Sequence, residues 1–347
     1  MPKCVISLFL AALAATSASI ALAASDDGAW TTTADTVRVS AAGIAAPMSA
    51  GTLALDRTGE ISNGGRGIDN VAQYVSADGA VQGTIYIYMP GFADAALGAY
   101  MTDRAIMDRF GGKTRRTSYD SVSVGGQPGA AIRAVYDDAA DGHLTTAAAL
   151  LHTGRWMVKL RITGPSERRA EVLAGLDAML AGLRFDAAAT PLPAAPLAPA
   201  SCLAPARGIA RLLYDASTDI TARQPGFPRD GRDALCVRGH VETTSGALEI
   251  LQSAGDARGS VLVPVDDGGT VMAFDPVGTS GGYRLSIHSV GRTEVYDAYD
   301  RLPSETQIAA MLDGKDPATA RARSTTAYGA DGARTLIVAS KGDRKGR

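Results

Sequence analysis

The sequence predicts an α+β chain of two domains, each a mainly antiparallel sheet with packed helices, joined by a Pro/Ala-rich linker. Three observations carry that prediction. Runs of period-two alternation outnumber helical stretches. Turn residues separate those runs at hairpin spacing. Residues 187–201, AAATPLPAAPLAPAS, then divide the 347-residue chain into two parts of domain size. Pro191, Pro193, Pro196 and Pro199 remove backbone donors and favour polyproline II at roughly 3.1 Å per residue. The stretch reads as a spacer able to hold the domains apart, and as the interior backbone most open to proteases.

Apolar residues make up 46% of the chain and charged residues 20%, which is globular composition rather than that of a disordered chain. The net charge of −2 offers no basic field for nucleic acid. The amino terminus specifies an address. Lys3, an apolar and small-residue run over 5–22, and Ala21-Leu22-Ala23 before a polar stretch form a secretory signal, residues 1–24, cut after Ala23 or Ala24. No later run has 18 consecutive apolar residues, so no membrane span is expected after cleavage. The expected location is periplasmic or extracellular.

The first domain, 25–186, begins with short strands near 36–40, 52–55 and 71–75. A stronger strand covers 84–89, where Ile85, Ile87 and Met89 oppose Thr84, Tyr86 and Tyr88. Asp78-Gly79 suits a turn joining the last two. Asp94 can cap a helix over 95–110, which Gly111-Gly112 would stop. Strands at 114–124, 130–136, 144–152 and 155–162 follow, divided by Gly125-Gly126, Asp141-Gly142 and Thr153-Gly154 as in a meander. Trp156, Val158, Leu160 and Ile162 share one face of the last. A helix starting at Ser166, with Val172, Leu173, Leu176, Met179, Leu180 and Leu183, is placed to cover it.

This order of elements, with Val122-Ser123-Val124-Gly125-Gly126 in the meander and Leu183-Arg184-Phe185 closing the last helix, resembles the PsbP-like α/β/α sandwich superfamily over residues 30–186. The resemblance implies a binding or accessory protein. It transfers no catalytic residue.

The second domain, 202–340, is expected to be β-rich, with a short helix over 208–216 and a Pro/Gly-rich loop over 225–233. Strands follow near 234–241, 247–252, 260–265, 270–274, 283–290 and 293–299. Ser304 and Gln307 fit a capping box for a helix with Ile308, Met311 and Leu312 inward. A hairpin turns at Asp331-Gly332. Residues 341–347 form a basic tail expected to be disordered. Cys202 and Cys236 are the only cysteines left after signal removal, and in an oxidising compartment they are expected to pair.

Chemistry-bearing residues are sparse. Gly278-Thr279-Ser280-Gly281-Gly282 matches G-x-S-x-G, and His288 is near, so a secreted serine hydrolase using Ser280 and His288 is the alternative reading. However, residues 283–288 alternate as a strand where the motif requires a helix. Asp137, Asp138, Asp141 and His143 share a loop but lack calcium-loop spacing. The remaining histidines, His152, His240 and His288, form no zinc pattern. Arg66 stands in a Gly-rich loop, 64–67, without dinucleotide spacing. No cofactor or metal is expected. Arg155, Lys159 and Arg161 fall on one strand face, with Arg133 on a possible neighbour, and could hold a small anion. The expectation is an exported, non-enzymatic accessory or binding protein of the bacterial cell envelope, its partner a protein or a small anionic ligand.

Overall fold

The structure is a computed structural model and describes residues 28–62, 65–202, 208–213, 221, 235–244, 246–254, 258–277, 282–316 and 319–339. The signal segment, Ser280, the 225–233 loop and the basic tail lie outside the described residues.

A small sheet opens the chain: β1 (Trp30–Thr32), β2 (Thr36–Val39) and β3 (Ile44–Pro47). The next sheet begins with β4 (Ser49–Ala50), β5 (Leu53–Glu60), β6 (Asp69–Ser76) and β7 (Gln82–Tyr88). After α1 (Ala95–Phe110) come β8 (Arg115–Val124), β9 (Gln127–Asp138), the single turn α2 (Ala139–Gly142), β10 (Leu144–His152) and β11 (Met157–Pro165). The order β4-β5-β6-β7-β11-β10-β9-β8 is antiparallel throughout and puts β11 beside β7. α3 (Arg169–Gly182) follows, and β12 (Arg184–Phe185) returns to β3.

Alternation explains the layering. Ile85, Ile87, Val158, Leu160 and Ile162 are buried in one core with Val172, Leu176 and Met179 of α3. On the opposite face, α1 lies over β9 and β10 and buries Ala95, Ala99 and Ile106 against Ile132, Leu150, Tyr136 and Ala148. Its start follows from Asp94, whose side chain accepts from the amides of Ala96 at 2.9 Å and Leu97 at 3.0 Å.

The largest sheet contains β13 (Ala200–Ser201), β14 (Leu212–Leu213), β15 (Leu235–Thr243), β16 (Gly246–Ser253), β17 (Val261–Pro264) and β18 (Val271–Val277). It continues through β19 (Gly282–Ser289) and β20 (Arg292–Tyr299), and after α4 (Glu305–Leu312) through β21 (Ser324–Tyr328) and β22 (Arg334–Val338). Among the described strands, only β13 runs parallel to its neighbour, β15. Ser304 and Gln307 close the expected capping box on α4.

The α+β class is overturned. Strands account for 50% of the described residues, in several antiparallel sheets, and the four α-helices among them are short; the described chain is mainly β. The physical reason is that the helices cover only part of the sheets: α1 lies on β9 and β10, α3 on β10 and β11, and α4 on β15. The 208–216 helix is also absent from its described part, since Leu212–Leu213 pairs with Ala298 and Tyr299 as strand β14.

The two large sheets dock directly. Pro90 and Val290 form a β-bridge, the Gly91 amide donates to the Ser289 carbonyl at 2.8 Å, and the Gly291 amide donates to the Met89 carbonyl at 2.8 Å. A Cβ at position 91 would stand 2.5 Å from the Arg292 carbonyl oxygen, so glycine permits the approach. Phe92 and Leu97 then join Leu235, Leu251, Leu262 and Val271 in a shared apolar cluster. Glu249 of β16 accepts from Tyr100 and Arg104 of α1.

The Pro/Ala stretch lies against this body as a strap. Between its prolines, the amide of Leu192 donates to the His152 carbonyl at 3.0 Å and that of Ala194 to the Gly129 carbonyl at 2.9 Å. Leu197 packs against clusters on both sides of the junction. A spacer separating the domains is therefore not what these residues form. Limited proteolysis is expected to spare residues 187–202, because a protease must first pull the segment off the Leu192 and Ala194 hydrogen bonds and its four prolines resist cleavage. Early cleavage there would show that the strap lifts off.

Candidate functional site

The face of β6, β7 and β11 that α1 leaves uncovered is polar. The register sets Tyr88 beside Met157, Tyr86 beside Lys159, Thr84 beside Arg161 and Gln82 beside Thr163. On the other side of β7, Asp69 stands opposite Tyr88. The last turn of α1 brings Arg109 and Phe110 to one wall, and the β17–β18 turn brings Asp267 and Gly268 to another. The result is a cleft of about 700 Å³ at the junction of the two large sheets, the kind of place where small-molecule sites concentrate.

Charge is unevenly satisfied inside it. Lys159 is 8% exposed, and its ammonium pairs with the Asp267 carboxylate and donates to the Asp267 carbonyl at 3.2 Å. Arg161 has no such partner among the described residues. Its guanidinium stands 5.5 Å from the centre of the Phe110 ring, and that of Arg109 stands 5.6 Å from the same ring. Burial, and then the charge of Arg109, hold the Arg161 pKa below the usual arginine value. Elsewhere in the cleft, burial followed by the charge of Glu60 pushes the Asp69 carboxyl up to about 6. Burial also raises the Tyr86 and Tyr88 hydroxyls. What these groups offer is recognition: two cations beside one aromatic ring, and apolar walls.

The structure brings Lys159 and Arg161 together but separates Arg155, which donates to the Met89 sulfur at 3.0 Å. Arg133 is on the opposite face, in register with Ala149 and through it with Leu160, and it pairs with Asp177 of α3 at 2.9 Å. Arg109, Phe110 and Asp69 were not singled out in the sequence. Arg109 and Phe110 sit on a helix whose charges show no stripe; Asp69 precedes the recognised strand. The one available signal was the polar face of residues 84–88.

The hydrolase residues do not assemble among the described residues. Ser280 lies outside them. His288 is fully buried within β19, its Nε2 3.0 Å from Ser286 Oγ and its Nδ1 3.1 Å from Thr293 Oγ1. The neutral ring donates at one nitrogen and accepts at the other, and burial pushes its pKa down to about 4. Its ring centroid stands 6.1 Å from that of Phe92, at the sheet junction.

The carboxylates of the β9–β10 loop are taken by cations. Asp137 pairs with Arg169 at 2.9 Å, Asp138 with Arg115 and Asp141 with Lys113 at 3.4 Å. No group of three His, Cys, Asp or Glu among the described residues could hold a metal. Nor is any helix among them long and apolar enough to cross a membrane. Cys202 and Cys236 form a disulfide, with Cα atoms 5.0 Å apart.

Compared with protein-family models and with curated proteins, the chain gives no match.

Proposed function

We propose that this is an exported binding protein of the cell envelope whose cleft takes a small ligand with an anionic group and a flat apolar part. The observation that carries the reading is Arg161: a half-buried cation that forms no salt bridge among the described residues, with a second cation, Arg109, beside the same Phe110 ring. Partial burial of a cation without a salt bridge costs stability, and a carboxylate or phosphate bridging Arg109 and Arg161 would offset that cost. The walls formed by Tyr86, Phe110, Leu144 and Val290 suit the apolar part. The exported address is supported by the signal-like sequence of residues 1–24 and by the cysteine pair. The likeness in element order of residues 30–186 to the PsbP-like superfamily supports a binding role in the same way.

Arg161→Met tests the reading because it moves stability and binding in opposite directions. Removing a half-buried cation that makes no salt bridge, while keeping its volume, is expected to raise stability modestly, by at most about 1 kcal/mol. The same change is expected to weaken binding of benzoate, followed by titration calorimetry, about tenfold or more, a loss of at least about 1.4 kcal/mol. Benzamide, which has the ring without the charge, is the control and should not bind. Equal binding of benzoate by both proteins would refute the assignment.

A further inference from the structure

The last strand, β22, is exposed along its whole length and carries Leu336, Ile337 and Val338 at 47%, 60% and 49% exposure. Among the described residues it pairs with β21 on one side only, so the other side is a sheet edge. The Ala339 amide donates to the Arg323 carbonyl, and the Gly329 amide donates to the Ala333 carbonyl. These two bonds fix the alternation. Thr335 and Ile337 turn their backbone groups toward β21, whereas Arg334, Leu336 and Val338 turn theirs outward.

Soluble proteins usually blunt such an edge with charge, proline or a bulge. From Thr335 to Ala339 the sequence has no charge and no proline, and the pairing with β21 shows no register shift. The hairpin is also firmly seated. Tyr328 donates to Thr293 at 3.1 Å, and Ala330 packs against the core of the first large sheet. A straight, apolar edge on a fixed hairpin is a template for strand addition.

We propose that β22 is the docking edge for an extended segment of another protein, an apolar run flanked by acidic residues. Charge selects this occupant over a second copy of the chain. Arg334 stands at one end of the strand, and beyond the other end the sequence holds Lys341, Arg344, Lys345 and Arg347 with only Asp343 in opposition. An antiparallel second copy would bring each Arg334 toward the other's basic run. A parallel copy would align Arg334 with Arg334 and one basic run with the other. Both arrangements oppose like charges, whereas acidic flanks complement both ends.

The test is fluorescence anisotropy of two labelled peptides, EDTVIVDE and KRTVIVKR, titrated with the folded chain. Leu336→Pro deletes an outward amide and leaves the ladder to β21 intact. Leu336→Glu retains every backbone group and places a like charge against the acidic peptide, so it serves even where the proline variant folds poorly. Saturable binding of EDTVIVDE is expected, about tenfold weaker or more for KRTVIVKR and for each folded variant. Absence of EDTVIVDE binding, equal binding of both peptides, or binding that Leu336→Glu leaves unchanged would overturn the proposal. A concentration-dependent dimer in sedimentation velocity that Leu336→Glu dissolves would assign the edge to a second copy instead.

Discussion

Cys236→Ser is expected to destabilise the chain by about 4 kcal/mol, the chain-entropy value for opening a loop with a sequence separation of 34. That is a large part of the net stability of a typical domain. The loss should be felt at the junction as well as in β15. Ala200 and Ser201 pair with Cys236 and Val237, and the Cys202 amide donates to the Val237 carbonyl at 2.8 Å. The disulfide therefore holds the carboxyl end of the strap on the second sheet, while Leu192 and Ala194 hold its other end on the first. Chemical denaturation of oxidised and reduced protein measures the difference. Identical midpoints, or two free thiols per unfolded, unreduced chain beginning at residue 25, would contradict it.

The second large effect is on pH. His288 has a folded pKa of about 4, against 6.5 in an unfolded chain. Its folded pKa is depressed, so the unfolded chain takes up the proton first as pH falls. Stability is complete above pH 6.5, declines between 6.5 and 4, and below 4 loses nothing more from this group. Between pH 7.5 and 4.5 the expected loss from His288 alone is about 2.5 kcal/mol. Asp69, with its pKa raised to about 6, acts in the opposite sense, because its contribution falls as pH rises from 3.8 through 6. The two are separated by comparison with His288→Phe. That variant is expected to be less stable at pH 7.5, since Ser286 and Thr293 lose a shared partner, but it should lack the acid-induced loss. An unchanged pH slope in the variant would remove His288 from this role.

Much of the local structure was legible because short-range patterns determine it. Period-two alternation located β7 and β11 and the face of β11 that α3 covers. Asp94 marked the start of α1, and Ser304 with Gln307 marked α4. The cysteine pair followed from the cysteine count and the expected compartment alone. The class was misjudged because recognising a helix locally does not show how little of a sheet it covers: α4 packs mainly on β15 of the ten-stranded sheet. The same limit applies to the strap. Composition shows that Pro191 and Pro193 cannot donate, but not that Leu192 and Ala194 find acceptors at His152 and Gly129. Leu212 and Leu213, read as helix, became strand because β20 offered a partner.

The cleft was half legible for a similar reason. Lys159 and Arg161 share a face by parity within one strand. Arg109 and Phe110 reach the same cleft only because β11 pairs with β7, about 75 residues earlier in the chain. Parity within a strand also says nothing of the register between strands, which is why Arg133 fell on the other face.

The most direct test of the cleft is anomalous diffraction from crystals soaked in 4-iodobenzoate, an aromatic carboxylate that reports its own position. The expected result is an iodine peak in the cleft beside Phe110, with the carboxylate between Arg109 and Arg161, and no peak there in Arg161→Met crystals. A cleft that remains empty while iodine occupies other sites, or a peak that persists unchanged in the variant, would contradict anion recognition by Arg161.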